Sequence, residues 1–240
     1  MKISAAFVTS AAGPSDFPGD GLPEIALVGR SNVGKSSLIN ALVRQRLART
    51  SAAPGKTRLA NLYRVARGSA APFYLVDLPG FGYARGAGVS PRGEAAGRRG
   101  SDEFEELTAA YFGRAASQRR GGPDEAALSA LLLVDSRHPG LDRDREAWRW
   151  LTAAVERAAI VATKIDKLAR GERIRAMRQL ESVFEQPVLP VSAVTGEGLE
   201  ELWKLIDRLN RSRNPRSSHP PPKATAPPPR NESSGSTSRR

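Results

Sequence analysis

The stretch Gly29-Arg30-Ser31-Asn32-Val33-Gly34-Lys35-Ser36 fits the spacing G-x-x-x-x-G-K-[ST]. It follows the apolar run Ile25-Ala26-Leu27-Val28 and opens into Ser37-Leu38-Ile39-Asn40, a strand–loop–helix setting. Glycines in such a loop let backbone N–H groups wrap a phosphate, and the N-terminus of the next helix adds a favourable dipole. Lys35 is placed to reach the β- and γ-phosphates, and the Ser36 hydroxyl to ligate Mg²⁺. Adenine and guanine nucleotides both use this pattern. The base must be read elsewhere.

Thr163-Lys164-Ile165-Asp166 supplies that reading, because it directly follows the strand-like run Ala159–Ala162. A carboxylate there accepts from guanine N1–H and the 2-amino group together, whereas adenine offers no matching pair of donors. The Lys164 stem can lie along the base. Between the two motifs, Phe73–Val76 runs into Asp77-Leu78-Pro79-Gly80, a D-x-x-G. Asp77 is expected to hold Mg²⁺ through water, and the Gly80 N–H to touch the γ-phosphate. After Val188–Val191, a backbone N–H of Ser192-Ala193 is placed for guanine O6. The four elements in this order predict a GTP site.

The elements that must position these groups are legible as well. Strand-like runs occupy Ile3–Val8, Glu24–Val28, Leu59–Ala66, Phe73–Val76, Leu128–Val134, Ala159–Ala162 and Val188–Val191. Leu199, Leu202, Trp203, Ile206 and Leu209 fall on one helical face. Ile174, Met177 and Phe184 oppose Arg173, Arg175 and Arg178 on a second helix, and Trp148, Leu151 and Val155 share a third stripe, which makes the tryptophans core residues. Strands alternating with helices predict an α/β fold, a mostly parallel sheet covered on both faces. Ile3–Val8 is expected at the sheet edge rather than in a secretory signal, its apolar stretch being too short for one.

Charge and composition bound the partners. The 240 residues carry 37 Lys+Arg against 25 Asp+Glu, a net +12, with no cysteine, so disulfides and Cys-ligated zinc are excluded. No run reaches the ~18 apolar residues of a membrane span. A cytoplasmic location is expected from that and from the nucleotide. Residues 211–240 hold seven basic residues against Glu232 alone, two Pro triplets and almost no aliphatics. Such a tail is expected to stay disordered beyond a domain over 1–210. It serves either to solubilise or to tether an anionic partner, RNA before membrane.

With these residues in view, the chain resembles the EngB (YihA/YsxC) family of bacterial GTPases over about residues 5–210. The likeness rests on Phe7-Val8-Thr9-Ser10, the Gly21–Ser37 stretch, Pro54-Gly55-Lys56-Thr57, Phe81-Gly82-Tyr83-Ala84, Asp135-Ser136-Arg137-His138-Pro139 and Gly196-Glu197-Gly198. It implies a six- to seven-stranded P-loop G-domain, a role in assembling the large ribosomal subunit through that subunit or its rRNA, and a need for the protein in normal cell division and septation. It also implies Thr57 as a switch threonine that ligates Mg²⁺ with Ser36 and Asp77. Lys35, Thr57 and Gly80 become the catalytic set. The implied nucleotide contacts run over Gly29, Arg30, Ser31, Asn32, Val33, Gly34, Lys35 and Ser36, then Gly55, Lys56, Thr57, Arg58 and Leu59. They continue with Asp77, Leu78, Pro79 and Gly80, Thr163, Lys164, Ile165 and Asp166, and end with Val191, Ser192 and Ala193.

Two departures stand out. Arg58 and Ala53 replace uncharged polar residues usual in the family, and Arg85–Gly100 is longer and richer in Gly and Arg than the usual second switch. That stretch is either a flexible insert or an added RNA-phosphate contact. Phe81 stands where many GTPases place a water-orienting glutamine, so intrinsic hydrolysis should be slow. Asn32 leaves two roles open, a loop hydrogen bond or the ligation of an activating K⁺. His138 is expected at the surface with no catalytic role, and the chain is expected to be a monomer. Two rival functions remain at this point. An ATP-dependent small-molecule kinase would leave Thr163–Asp166 without a role. An RNA-binding module merely stabilised by nucleotide would bind RNA equally with GTP or GDP.

Overall fold

A computed structural model describes residues 2–49, 59–81, 107–114 and 128–210. The segments holding Gly55, Lys56, Thr57 and Arg58, the Arg85–Gly100 stretch and the 211–240 tail lie outside the described residues. Seven strands form one sheet: β1 (Ile3–Ala11), β2 (Glu24–Gly29), β3 (Ala60–Arg67), β4 (Phe73–Asp77), β5 (Leu128–Asp135), β6 (Arg157–Thr163) and β7 (Val188–Pro190). Their order is β1-β3-β4-β2-β5-β6-β7, and β3 alone runs against its neighbours. Five helices complete the described fold: α1 (Lys35–Val43), α2 (residues 107–114), α3 (Asp142–Ala154), α4 (Arg170–Phe184) and α5 (Leu199–Asn210).

The central strands β2 and β5 are buried along their whole length and mostly apolar because both sheet faces are covered. Side chains alternate along them, so Ile25 and Leu27 of β2 face one layer while Ala26 and Val28 face the other. Leu131 and Leu133 of β5 join the first layer; Leu132 and Val134 join the second. Helices α1 and α5 close the first layer, with Leu202, Trp203, Ile206 and Leu209 buried as the helical stripe predicts. Each such side chain contributes roughly 1.5–3 kcal/mol of burial. Helices α2, α3 and α4 close the second layer.

All seven expected strands are present, and β1 is an edge strand, as β7 is at the other side. A register shift between Phe7 and Thr9 interrupts its pairing with β3, a bulge that blunts an otherwise long open edge. The expected inward face of α4 needs correction. Ala176, Leu180 and Phe184, four residues apart, set its buried line, which leaves Ile174 47% exposed. Trp203 and Trp148 meet Phe73 and Phe184 edge-on as core residues, but Trp150 is 40% exposed and only leans on Phe112.

Parallel strands place their C-terminal ends on one edge, where β2, β4, β5, β6 and β7 all deliver a loop. The sequence motifs sit there. At the opposite end, buried Glu24 starts β2 and pins α2, accepting from Tyr111 Oη at 2.8 Å and from Arg114 Nη2 at 2.7 and 2.8 Å.

Candidate nucleotide-binding site

Strand β2 ends at Gly29 and α1 begins at Lys35, so residues 30–34 form a tight loop between sheet and helix. The Val33 N–H donates to the Arg30 carbonyl at 3.2 Å and closes a turn. Asn32 (φ 62°) and Gly34 (φ 111°) take left-handed conformations within it. A Cβ on Gly29 would lie 2.8 Å from the Leu133 carbonyl and 2.9 Å from the Val33 side chain, so no larger residue fits. No side chain among the described residues caps α1. Its first N–H groups are therefore free to meet an anion at the loop.

Lys35 is buried and its Nζ donates to the Gly29 carbonyl at 3.2 Å. Burial lowers its pKa, against the opposing pull of Asp77. Asp77 ends β4 and is 2% exposed. Its Oδ2 accepts from Ser36 Oγ at 2.8 Å, while its Oδ1 is buried without a partner among the described residues. Burial raises the Asp77 pKa although Lys35 and Ser36 both pull it down. An unpartnered carboxylate oxygen beside a hydroxyl is a hard-oxygen donor set, the chemistry that suits Mg²⁺.

Gly80 lies against this loop. A Cβ on it would sit 2.6 Å from the Ser31 nitrogen, and the Ser31 hydroxyl donates to the Gly80 carbonyl at 3.3 Å. Phe81 N–H donates to the Gly29 carbonyl at 3.3 Å and Ser31 N–H to the Phe81 carbonyl at 3.1 Å, a short parallel bridge. Leu78 is fully buried, and its N–H donates to the Leu27 carbonyl at 3.4 Å. The Phe81 ring packs, partly buried, on the apolar layer that α2, α3 and α4 cover.

The base-side motif is stitched to the same loop. Thr163 Oγ1 lies 2.7 Å from the Val33 carbonyl and 3.1 Å from the Val134 carbonyl and shares its proton between them. Lys164 Nζ donates to the Asn32 carbonyl and, at 2.9 Å, to Asp135 Oδ2. Asp135 in turn is gripped by Arg137, whose Nε and Nη2 reach its two oxygens at 2.9 and 2.7 Å. Burial alone would push Asp135 up; the hydrogen bonds from Arg137 and Lys164 outweigh it and hold the carboxyl well below the usual range.

Asp166 is oriented by Ser192, whose hydroxyl donates to its Oδ1 at 2.7 Å. The same hydroxyl accepts from the N–H groups of Val194 and Thr195 at 3.2 and 3.1 Å. Ile165 is buried and its N–H reaches the Val191 carbonyl at 3.5 Å. The Ser192 N–H donates to the Glu197 carbonyl at 2.9 Å, so of the two expected donors to guanine O6 only Ala193 remains. Gly198, with φ of 78°, packs against the Pro190 carbonyl and holds this loop closed.

The structure thus gathers Gly29–Ser36, Asp77–Gly80, Thr163–Asp166 and Val191–Ala193 at one sheet edge. Leu59 is exposed just before β3, and Gly55, Lys56, Thr57 and Arg58 fall outside the described residues. His138 is exposed, as expected. Two contacts were not foreseen. The Asp135–Lys164 pair had only a weak signal, an acidic residue ending a buried strand. The Arg30 guanidinium meets Asp144 of α3, with Nε 3.1 Å from Oδ1, and nothing in the loop pattern indicates it.

A family model described as "50S ribosome-binding GTPase" matches residues 24–165. A probable GTP-binding protein EngB of Pelotomaculum thermopropionicum is 41% identical over 214 residues, spanning 87% of this chain and 96% of that one. This chain belongs to the EngB family. A second EngB relative, from Solibacter usitatus, is 40% identical over 213 residues, covering 88% of this chain and 99% of its own length. Among solved structures, a probable GTP-binding protein engB aligns with TM-score 0.56 at 22% identity, over 79% of this chain and 100% of that chain. Era in complex with MgGDPNP and a 16S ribosomal RNA segment aligns with TM-score 0.60 at 21% identity, over 81% of this chain and 59% of that chain. Both establish the fold. The EngB-family chain is a P-loop GTPase, and no helix among its described residues is long and apolar enough to cross a membrane.

Proposed function

We propose that this EngB-family GTPase is a slowly hydrolysing GTP/GDP switch of the cytoplasm that acts in assembly of the large ribosomal subunit. Normal cell division and septation depend on it through that role. The observation that carries the nucleotide part is the stitching of base motif to phosphate loop, Thr163 to Val33 and Lys164 to Asn32. One rigid unit then grips both ends of the nucleotide. The "50S ribosome-binding GTPase" description of the matching family and the net charge of +12 support the ribosomal partner.

Ser36 and Asp77, the latter through water, together with Thr57 would hold Mg²⁺. The bound ion would neutralise charge on the β- and γ-phosphates. Lys35 adds a fixed ammonium, and the free N–H groups at the start of α1 add dipoles. The Gly80 N–H would serve a γ-phosphate, and a partner that binds the GTP and GDP states differently would read that contact. Phe81 offers attacking water no hydrogen bond, and its ring is spent on packing. Phe81→Ala is therefore expected to change basal turnover less than about threefold, well below the 10²-fold and larger effects of groups that act on the transferring phosphate. A phosphate-release assay giving a hundredfold loss would make Phe81 part of the chemistry.

Co-sedimentation of the full chain with large ribosomal subunits tests the switch. Preferential pelleting with a non-hydrolysable GTP analogue over GDP is expected. Equal pelleting in both states would favour a constitutive RNA-binding module, and no pelleting in either would remove the ribosome from the proposal.

A further inference from the structure

Asp144, in the first turn of α3, is 1% exposed and lies outside the four nucleotide motifs. Its Oδ1 accepts from Arg30 Nε at 3.1 Å, and its Oδ2 is buried without a hydrogen-bond partner among the described residues. Arg30 is the residue from which the phosphate loop leaves β2. Its carbonyl closes the turn on the Val33 N–H, and its backbone bridges Phe81. Whatever fixes Arg30 therefore fixes both the start of the loop and its contact with the D-x-x-G segment.

We infer that Asp144 is a positioning residue for the phosphate loop, acting through Arg30, so that α3 sets how tightly the site holds the phosphates of a guanine nucleotide. The inference rests on the reading of Gly29–Ser36 as the phosphate cradle. A role in stability alone fits poorly. A carboxylate with one oxygen unsatisfied in the interior is a burden to the fold rather than a support. Burial raises the Asp144 pKa from 3.8 to about 6; Arg30, from the loop, opposes the rise, and Asp135, from β5, adds to it. Between 3.8 and about 6 the native chain holds a proton that the unfolded chain has lost, so stability falls as pH rises through that window. The ionised side chain burdens the fold at neutral pH, and what it holds in return is Arg30.

The test is the affinity of the full chain for fluorescent GDP, with Asp144→Asn, Arg30→Met and the double variant compared with wild type. Loss of a charge-assisted contact predicts roughly tenfold weaker binding of GDP and GTP alike in each single variant. The double variant should be no weaker than the weaker single, since both act on one contact. Between about pH 7.5 and about pH 5.5 wild type should lose severalfold more affinity than Asp144→Asn, because Asp144 takes up a proton while the titration of the nucleotide's terminal phosphate is common to both. The melting temperature of nucleotide-free Asp144→Asn should equal or exceed that of wild type. Unchanged affinity in both single variants overturns the inference, as does an affinity loss matched by a fall in melting temperature, or a pH dependence as steep in Asp144→Asn as in wild type. Failure of wild type itself to bind fluorescent GDP would instead overturn the reading of the phosphate loop.

Discussion

Replacing Asp166 with Asn is expected to weaken GTP binding about a thousandfold and to turn the site towards xanthosine nucleotides. The carboxylate offers guanine two charge-assisted contacts, each contributing roughly 1.5–3 kcal/mol. An amide at that place sets an N–H₂ against the guanine 2-amino group, a donor facing a donor. The direction of the new amide is already determined, because Ser192 Oγ donates to Asp166 Oδ1 at 2.7 Å and requires an acceptor there. The N–H₂ must then take the place of Oδ2, where a 2-oxo group can accept from it and the remaining oxygen can still accept from N1–H. Competition against fluorescent GDP by GTP and by xanthosine triphosphate measures both halves. If GTP competes as well against Asp166→Asn as against wild type, the base does not sit at Thr163–Asp166.

Much of this site was legible because its parts follow local rules. A loop with glycines at set positions between a buried strand and a helix is a phosphate cradle at the level of sequence. The strands that present it, β2 and β5, are mostly apolar runs, buried along their whole length because both faces are covered. Helix α5 announces its inner face through one stripe of large side chains. Helix α4 misleads because its packing line uses the small Ala176, while the larger Ile174 points outward. What stayed illegible is the set of side-chain contacts between distant segments. Arg30 and Asp144 stand 114 positions apart, and Lys164 and Asp135 stand 29 apart. No periodicity encodes such pairs; only the strand order, which lays β5 between β2 and β6, brings them together. Ser192 shows the same limit. Its position suggested a backbone donor, yet its N–H is engaged with Glu197 and its hydroxyl aims Asp166.

Lys35→Met should lower GDP and GTP affinity by a factor of about 10² to 10⁴, the loss of two charge-assisted contacts to phosphate oxygens at roughly 1.5–3 kcal/mol each. Methionine nearly matches the volume and leaves α1 its apolar seat, so the loss is one of charge. The same substitution should make stability depend on pH in a set direction. In the nucleotide-free chain Asp77 has its pKa raised by burial above 3.8, and Lys35 is one of the two groups holding it down. From 3.8 to that raised value the native state keeps a proton that the unfolded state releases, so stability falls as pH rises. Removing Lys35 extends this window upward. Lys35 itself has its pKa lowered by burial, so in wild type the unfolded state binds more protons above that lowered value, and stability there rises with pH. The first effect widens the gap between wild type and Lys35→Met as pH rises above 3.8, the second adds to it above the lowered Lys35 pKa, and melting curves followed as a function of pH would reveal it. Adding Asp77→Asn should remove the part of that widening due to the stranded carboxylate and leave the part due to Lys35 itself, yet it should not restore binding. Wild-type affinity in Lys35→Met would move the phosphates elsewhere. A gap that narrows with rising pH would mean that Lys35 and Asp77 do not share the electrostatics of one site.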